Sequence, residues 1–129
     1  LTPAGARHWV TATAAPCTGL FKPVSVDHPL DLGHSPTDHF HPDALWWRHE
    51  HFHRRVMRNP EANFPSFTPE RDEIQSRWLA SPPDPADAFR EANEALDRWT
   101  IALPEVRDRR PPFVRRYWAV RDRKAGLTH

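Results

Sequence analysis

Fifteen prolines are spread over the 129 residues of this chain, and they limit the length of any regular element. Proline breaks a helix from the inside and cannot donate to a strand ladder, but it is favoured at the first position of a helix. Two polar–proline pairs fit such a start, Thr68–Pro69 and Asp84–Pro85. The pattern predicts short elements joined by rigid turns.

The positions of the prolines and the periodicity of the apolar residues together predict four helices. We predict them over Asp43–Arg58, Thr68–Leu79, Asp84–Leu103 and from Pro112 to just before Gly126, which would form the C-terminal cap. The segment with Phe64 and Phe67 is predicted to be an anchored loop. Residues 27–42 contain four prolines or glycines and few apolar side chains, which also indicates a loop.

The first 26 residues have the character of strands instead. Arg7–Thr13 alternates between two faces, and Thr18–Val26 is a second extended stretch in which Pro23 favours an edge or a bulge. The predicted class is therefore α+β: a β-hairpin over 1–26, a loop over 27–42 and a mainly helical region over 43–129, in one domain or fragment. Because two strands alone are marginal, the hairpin must pack on helices or join a larger sheet.

Composition narrows the classes of partner. The formal net charge is +1, so no global field favours nucleic acid or a membrane surface. The sequence contains no apolar run near the roughly 20 residues of a membrane span, and we expect a soluble, cytoplasmic protein without a signal peptide. The single cysteine, Cys17, excludes an internal disulfide and is predicted to be a small buried thiol.

The helix predicted over 43–58 carries the string H-E-x-x-H, formed by His49, Glu50 and His53. Two histidines four residues apart on a helix can share a zinc ion, and the intervening Glu can act as general base on the bound water. The same helix has an apolar stripe that includes both histidines: Leu45, Trp46, His49, Phe52, His53 and Val56. The opposite face is predicted to be polar and consists of Arg48, His51, Arg55 and Arg58. A structural interpretation therefore competes with zinc, with Glu50 in a surface ion pair to Arg54.

A zinc peptidase needs a third protein ligand. The Gly and the third His with which one class of zinc peptidases continues after this string do not follow His53 at the required spacing. Glu70 and Glu73 on the next helix are the acids available to another class, and the loop offers His34, His39 and His41. Satisfied core histidines are the favoured interpretation, and zinc bound by His49 and His53 with Glu50 as base stays an alternative.

Two segments together resemble the secernin group of cysteine dipeptidases, which are N-terminal-nucleophile hydrolases related to acyl-coenzyme A:6-aminopenicillanate acyltransferases. The first segment is His8–Pro23, with a threonine-rich strand, a proline turn and Phe-Lys-Pro; the second is Leu45–Arg54. In that group a similar strand pair precedes a similar His-Glu helix. Ala12 stands where the group has glycine, and Ala15 lengthens the turn before Pro16.

The resemblance implies an enzyme that uses cysteine and no zinc, with an αββα sandwich of which this hairpin would form part. The nucleophile of the group is the first residue of the mature enzyme, with its own amino group as base. Since the sequence begins with Leu1, we expect a carboxy-terminal part of such a hydrolase that is inactive alone, with no catalytic residue and no cofactor of its own. Its expected partners are the rest of the parent chain and a small peptide or amide substrate, and a homo-oligomer is allowed.

One further pattern lies between Arg107 and Lys124, where eight basic and two acidic residues are interleaved with Phe113, Tyr117 and Trp118. Such a pattern can bind single-stranded nucleic acid. However, Phe113, Tyr117 and Val120 have the spacing of a helix core, and the preceding helix is acidic. We therefore predict pairing between the two helices and no nucleic acid. A non-catalytic helical interaction module stays open as a third class of function.

Overall fold

In the computed structural model, residues 7–127 are described, and they form one antiparallel hairpin followed by five helices. The strands are β1 (His8–Val10) and β2 (Lys22–Val24). The helices are α1 (Leu45–Val56), α2 (Pro60–Asn63), α3 (Thr68–Ala80), α4 (Pro85–Ala102) and α5 (Pro112–Ala125). A mixed α+β fold with one hairpin is thus confirmed.

The hairpin is shorter than predicted. Trp9 pairs with Pro23 in an antiparallel register, and Val10 pairs with Lys22, after which the strands separate. Ala12 adopts a positive φ of 56°, in the left-handed region, and Pro16–Thr18 forms a 3₁₀ turn. These two local conformations end the ladder, so the stretches 11–13 and 18–21 are not strands as the alternation suggested.

Helix starts and ends agree with the proline pattern in part. Asp84 caps α4 by accepting a hydrogen bond from the Ala86 amide at 3.2 Å, and Gly126 ends α5 with φ 78°. The predicted cap at Thr68 is wrong, because Phe67 precedes α3 and Thr68 is already helical. Asn59 does more than end α1, since its side chain caps the one-turn helix α2 that the sequence did not predict.

Helix α1 lies at the centre of the molecule, and none of its twelve residues is exposed. Phe52 and Val56 are fully buried in a core shared with Phe67, Trp78 and Trp99, whereas Trp47 belongs to a second small cluster with Ala125 and Leu127. The predicted polar face of α1 is therefore covered too. Arg48 binds Asp97 of α4 at 2.6 Å, and Arg55 donates to the Thr100 carbonyl at 3.1 Å.

Helix α5 faces the protein differently from the prediction. Phe113 and Tyr117 are 73% and 52% exposed, so they are not core residues. The inward side of α5 consists of half-buried Val114 and Trp118, then buried Asp122 and Ala125. The outer side of α5 thus presents aromatic and basic side chains to solvent.

The predicted pairing of acidic α4 with basic α5 is also wrong. Within residues 7–127, the ion pairs of α4 run to Arg48 of α1, to Arg77 and Glu70 of α3, or stay within α4. The acid of α5, Asp122, pairs instead with Arg54 of α1. The helix pairing and the core spacing that argued against nucleic acid at α5 are therefore removed, although the expectation itself stays a prediction. None of the helices within 7–127 combines the length and the hydropathy of a membrane-spanning segment.

Candidate functional site

The two histidines of the H-E-x-x-H string converge on one hydroxyl group, that of Thr18. Thr18 Oγ1 lies 3.2 Å from Nε2 of His49 and 3.1 Å from Nδ1 of His53. The two imidazole rings are nearly parallel, with centroids 6.3 Å apart and 8° between their planes. We refer to Thr18, His49 and His53 as the histidine–threonine cluster. The Thr18 hydroxyl lies between the two imidazoles, within hydrogen-bonding distance of a nitrogen on each.

Local structure explains why Thr18 reaches this place. The 3₁₀ turn Pro16–Thr18 turns Thr18 inward, where it is fully buried, and leaves Cys17 exposed. The prediction that the Cys17 thiol is buried is therefore wrong, because the buried side chain is that of its neighbour Thr18. Gly19 follows the turn, and a Cβ added to it would lie 3.3 Å from Nε2 of His49. Only a residue without a side chain leaves the histidine ring its full space there.

The tautomer of His49 follows from its second contact. Nε2 also lies 3.2 Å from the carbonyl oxygen of Thr18, which can only accept a hydrogen bond. Nε2 therefore carries the proton, and Nδ1 is the bare nitrogen, buried without a partner among the described residues. Burial lowers the pKa of His49 to about 4, although the bond to Thr18 opposes that shift. A neutral His49 that donates from Nε2 has no lone pair on that nitrogen for a metal ion.

His53 is less enclosed. It is half-buried, and burial is the main cause that lowers its pKa below the usual value, while the nearby Glu50 carboxylate acts in the opposite direction. His53 borders an open groove of about 420 Å³ between the hairpin connection, α1 and α5. Met57, Val114 and Trp118 give this groove an apolar wall.

Glu50, the base of the zinc alternative, has a different set of contacts. Its carboxylate accepts from Nε of Arg54 at 2.9 Å, and Arg54 also binds Asp122 at 2.8 Å. The pair was predicted on the surface, but the side chains of Arg54 and both acids are only 9–12% exposed. We refer to Glu50, Arg54 and Asp122 as the carboxylate bridge. It fastens α5 to α1, and Arg54 also lies over the rings of Trp47 and Trp118.

The other candidate zinc ligands lie elsewhere. Glu70 accepts from Nε1 of Trp99 at 3.0 Å, and Glu73 pairs with Arg77 within α3. His34 and His41 stack on each other at 3.7 Å in the loop over 27–42. Across residues 7–127, no three His, Cys, Asp or Glu side chains are grouped as a metal ion would require. His49, Glu50 and His53 are therefore adjacent on α1 without a third ligand in that part of the chain.

Lys22 is a buried cation that the sequence did not single out. It is 3% exposed and donates from Nζ to the carbonyl oxygens of Thr11 at 2.5 Å and Leu20 at 3.2 Å. Burial lowers its pKa to about 8. Its Nζ also lies 5.2 Å from the centre of the Phe89 ring. Lys22 thus holds the connection between β1 and β2 in place. In the sequence, its position in the Phe-Lys-Pro segment was the one feature that could have indicated its importance.

Sequence reasoning missed Thr18 and Asp122, on which the two networks depend. Asp122 is the one acidic residue of α5, and an isolated acid on a basic helix was a usable signal. Thr18 carried no such mark beyond its place in the threonine-rich segment. Comparison with known proteins finds no matching family model, no matching curated protein and no matching solved structure.

Proposed function

We propose that this chain is a non-catalytic structural part of a secernin-like cysteine hydrolase. The reaction would be hydrolysis of a dipeptide or a similar small amide through a thioester, on a cysteine that lies elsewhere in that hydrolase. One observation carries the proposal: the two segments that resemble the secernin group meet in the histidine–threonine cluster. Thr18 comes from His8–Pro23, and His49 and His53 come from Leu45–Arg54.

Other residues of the same two segments also have structural contacts. Lys22 ties the hairpin loop together, and Glu50 and Arg54 hold α5 on α1. The resemblance is thus concentrated in residues that build the junction between hairpin and helix. A junction of this kind positions a sheet against a helix, and it needs neither a nucleophile nor a metal ion.

The described residues place no substrate-accessible nucleophile beside a base, although the buried Thr18 hydroxyl lies against two imidazoles. The Thr18 hydroxyl is fully buried, so a substrate carbonyl cannot approach it. Cys17 is exposed, but within residues 7–127 no hydrogen bond joins its thiol to a histidine or an acid. A nucleophile is activated by such a neighbour or by a lowered pKa. These features support a role in which catalysis belongs to another part of the hydrolase.

The surface of the hairpin supports the rest of the hydrolase as the partner. The sheet in residues 7–127 has only two strands, and the outer edge of each is unpaired in that part of the chain. Val10, Phe21 and Val26 on or near these strands are 38%, 44% and 79% exposed. Further strands beside the hairpin would cover such groups and complete one sheet of an αββα sandwich. The expected cytoplasmic location belongs to the same proposal.

A non-catalytic interaction module is the second candidate, and the outer side of α5 favours it. Phe113 and Tyr117 are exposed there beside Arg115 and Arg116, which form no ion pair within residues 7–127. Exposed apolar surface of this kind can mark a site where a partner binds. This candidate shares with the first the absence of chemistry in the chain itself. It differs in requiring no cysteine hydrolase.

The test is the intact mass and the amino-terminal residue of the gene product isolated from its own cells. The proposal expects a product several hundred residues long that begins with cysteine, and whose dipeptidase activity is lost when that cysteine is alkylated. A product that starts near Leu1, with no hydrolase copurifying, would exclude the proposal and leave the interaction module.

A further inference from the structure

A cleft beside α5 is lined by four arginines. It measures about 520 Å³ and lies between the end of α1, the segment before α5 and α5 itself. Its arginines are Arg58, Arg110, Arg115 and Arg123. We refer to it as the arginine cleft.

The two acids of the arginine cleft are already engaged. Asp108 binds Arg110 through two contacts, at 3.0 and 2.7 Å, and Asp122 binds Arg54 of the carboxylate bridge. Of the four arginines, only Arg110 forms an ion pair with an acid of the described chain. Arg58, Arg115 and Arg123 therefore line the cleft without an ion pair to an acid of residues 7–127.

Arg58 is the most informative of these groups. It is half-buried and borders a second cleft of about 550 Å³, where His51 and Arg55 are further neighbours. Its guanidinium makes no hydrogen bond to any described residue, although a guanidinium carries five donors. Burial lowers the pKa of Arg58, Arg110 lowers it further, and Asp108 and Asp122 act in the opposite direction. A half-buried cation without a partner costs free energy that a bound anion would recover.

The geometry points to a binding site for a small phosphate monoester in the arginine cleft, held by Arg58, Arg115 and Arg123. A phosphate dianion matches an excess of positive charge, and its tetrahedral oxygens accept from several guanidinium groups at once. The volume of the cleft lies within the range of small-ligand pockets. The apolar wall formed by Ala119 and Leu127 would contact the organic part of the ligand. This inference does not depend on the proposed hydrolase.

Isothermal titration of the 129-residue chain with inorganic phosphate at low ionic strength tests the site. We expect saturable binding of one phosphate per chain, weakened at least about tenfold by either Arg58→Gln or Arg123→Gln. The matched control is Arg90→Gln, which removes an exposed arginine of α4 paired with Asp87. It should bind as the parent chain does.

Folding of the variants is checked by thermal unfolding in phosphate-free buffer. Arg58→Gln should unfold at the same temperature as the parent or above it, because it removes a half-buried cation beside Arg110. Absence of saturable binding, or equal weakening by Arg90→Gln, would overturn the inference. So would an oligothymidylate that binds far more tightly than phosphate with the same dependence on Arg58, since the site would then belong to nucleic acid.

Discussion

The Thr18 hydroxyl and Nε2 of His49 lie 3.2 Å apart, although the two residues are 31 positions apart in the chain. The contact joins the hairpin connection to the first turns of α1. It also places the neutral, donating form of His49 in a site from which water is excluded. The acid sensitivity of the fold follows from this relationship.

Stability should fall between about pH 6.5 and pH 4. The pKa of His49 is lowered to about 4 in the folded chain, whereas an unfolded histidine titrates near 6.5. Below pH 6.5 the unfolded state therefore binds a proton that the folded state does not, and acid favours unfolding. Urea unfolding at pH 7 and pH 4.5 should show a loss of about 2 to 3 kcal/mol that is strongly reduced in His49→Gln. His28→Gln, in the exposed loop, should keep the full loss; an unchanged slope in His49→Gln would contradict this assignment.

Removing the central cation of the carboxylate bridge should be costly. In Arg54→Met, the buried carboxylates of Glu50 and Asp122 both lose the guanidinium that they share, and removing one partner of a buried ion pair costs about 3 to 5 kcal/mol in comparable sites. Arg90→Met removes an exposed arginine paired with Asp87 and should change stability by less than about 1 kcal/mol. Denaturant unfolding of both variants at pH 7 measures the difference. Equal losses would mean that the bridge is no more important than a surface pair.

Replacing Ala12 with glycine should stabilise the chain. Ala12 has φ 56°, where an L-residue with a Cβ is strained by about 1 to 2 kcal/mol. Part of the gain is offset by the greater freedom of glycine in the unfolded chain, so we expect about 0.5 to 1 kcal/mol in thermal unfolding. Ala14→Gly is the matched control at an exposed position without a positive φ, and it should not stabilise. Stabilisation by both changes would refute the strain argument.

Zinc should be neither bound stoichiometrically nor needed for folding. His49 donates from Nε2 to the Thr18 carbonyl, and Glu50 is bonded to Arg54, so binding a metal ion would break both networks. Metal analysis of the purified chain should find well under one zinc per chain, and EDTA should leave the unfolding temperature unchanged. One tightly bound zinc that disappears in His49→Ala but persists in His28→Ala would instead establish the zinc alternative.

Sequence patterns predicted where helices begin and end better than which of their side chains are buried. The starts of α4 and α5 could be predicted because Pro85 and Pro112 act through local backbone geometry, and Gly126 ends α5 for the same reason. Periodicity also placed His49 and Phe52 on a buried face. It failed for Arg48 and Arg55, because long side chains can be covered while their charged ends reach a partner on α4.

The networks of the candidate site could not be predicted from local patterns. The inward turn of Thr18 and the outward turn of Cys17 depend on one 3₁₀ turn, and a shift of one residue would exchange them. The link between Arg54 and Asp122 spans 68 positions. The charges of α4 and α5 predicted a pairing between those helices, but each helix finds nearer partners on other elements.

The enclosure of α1 has a consequence for how the chain folds. Its twelve residues are covered by elements that come from both ends of the described sequence, so no local segment can shield α1 by itself. Closing those long loops must precede the gain from burial, which slows folding and suppresses partly formed states. Hairpin, central helix and α5 should therefore gain and lose their structure together, as one cooperative unit. A cut anywhere between Pro16 and Pro112 would weaken all three at once.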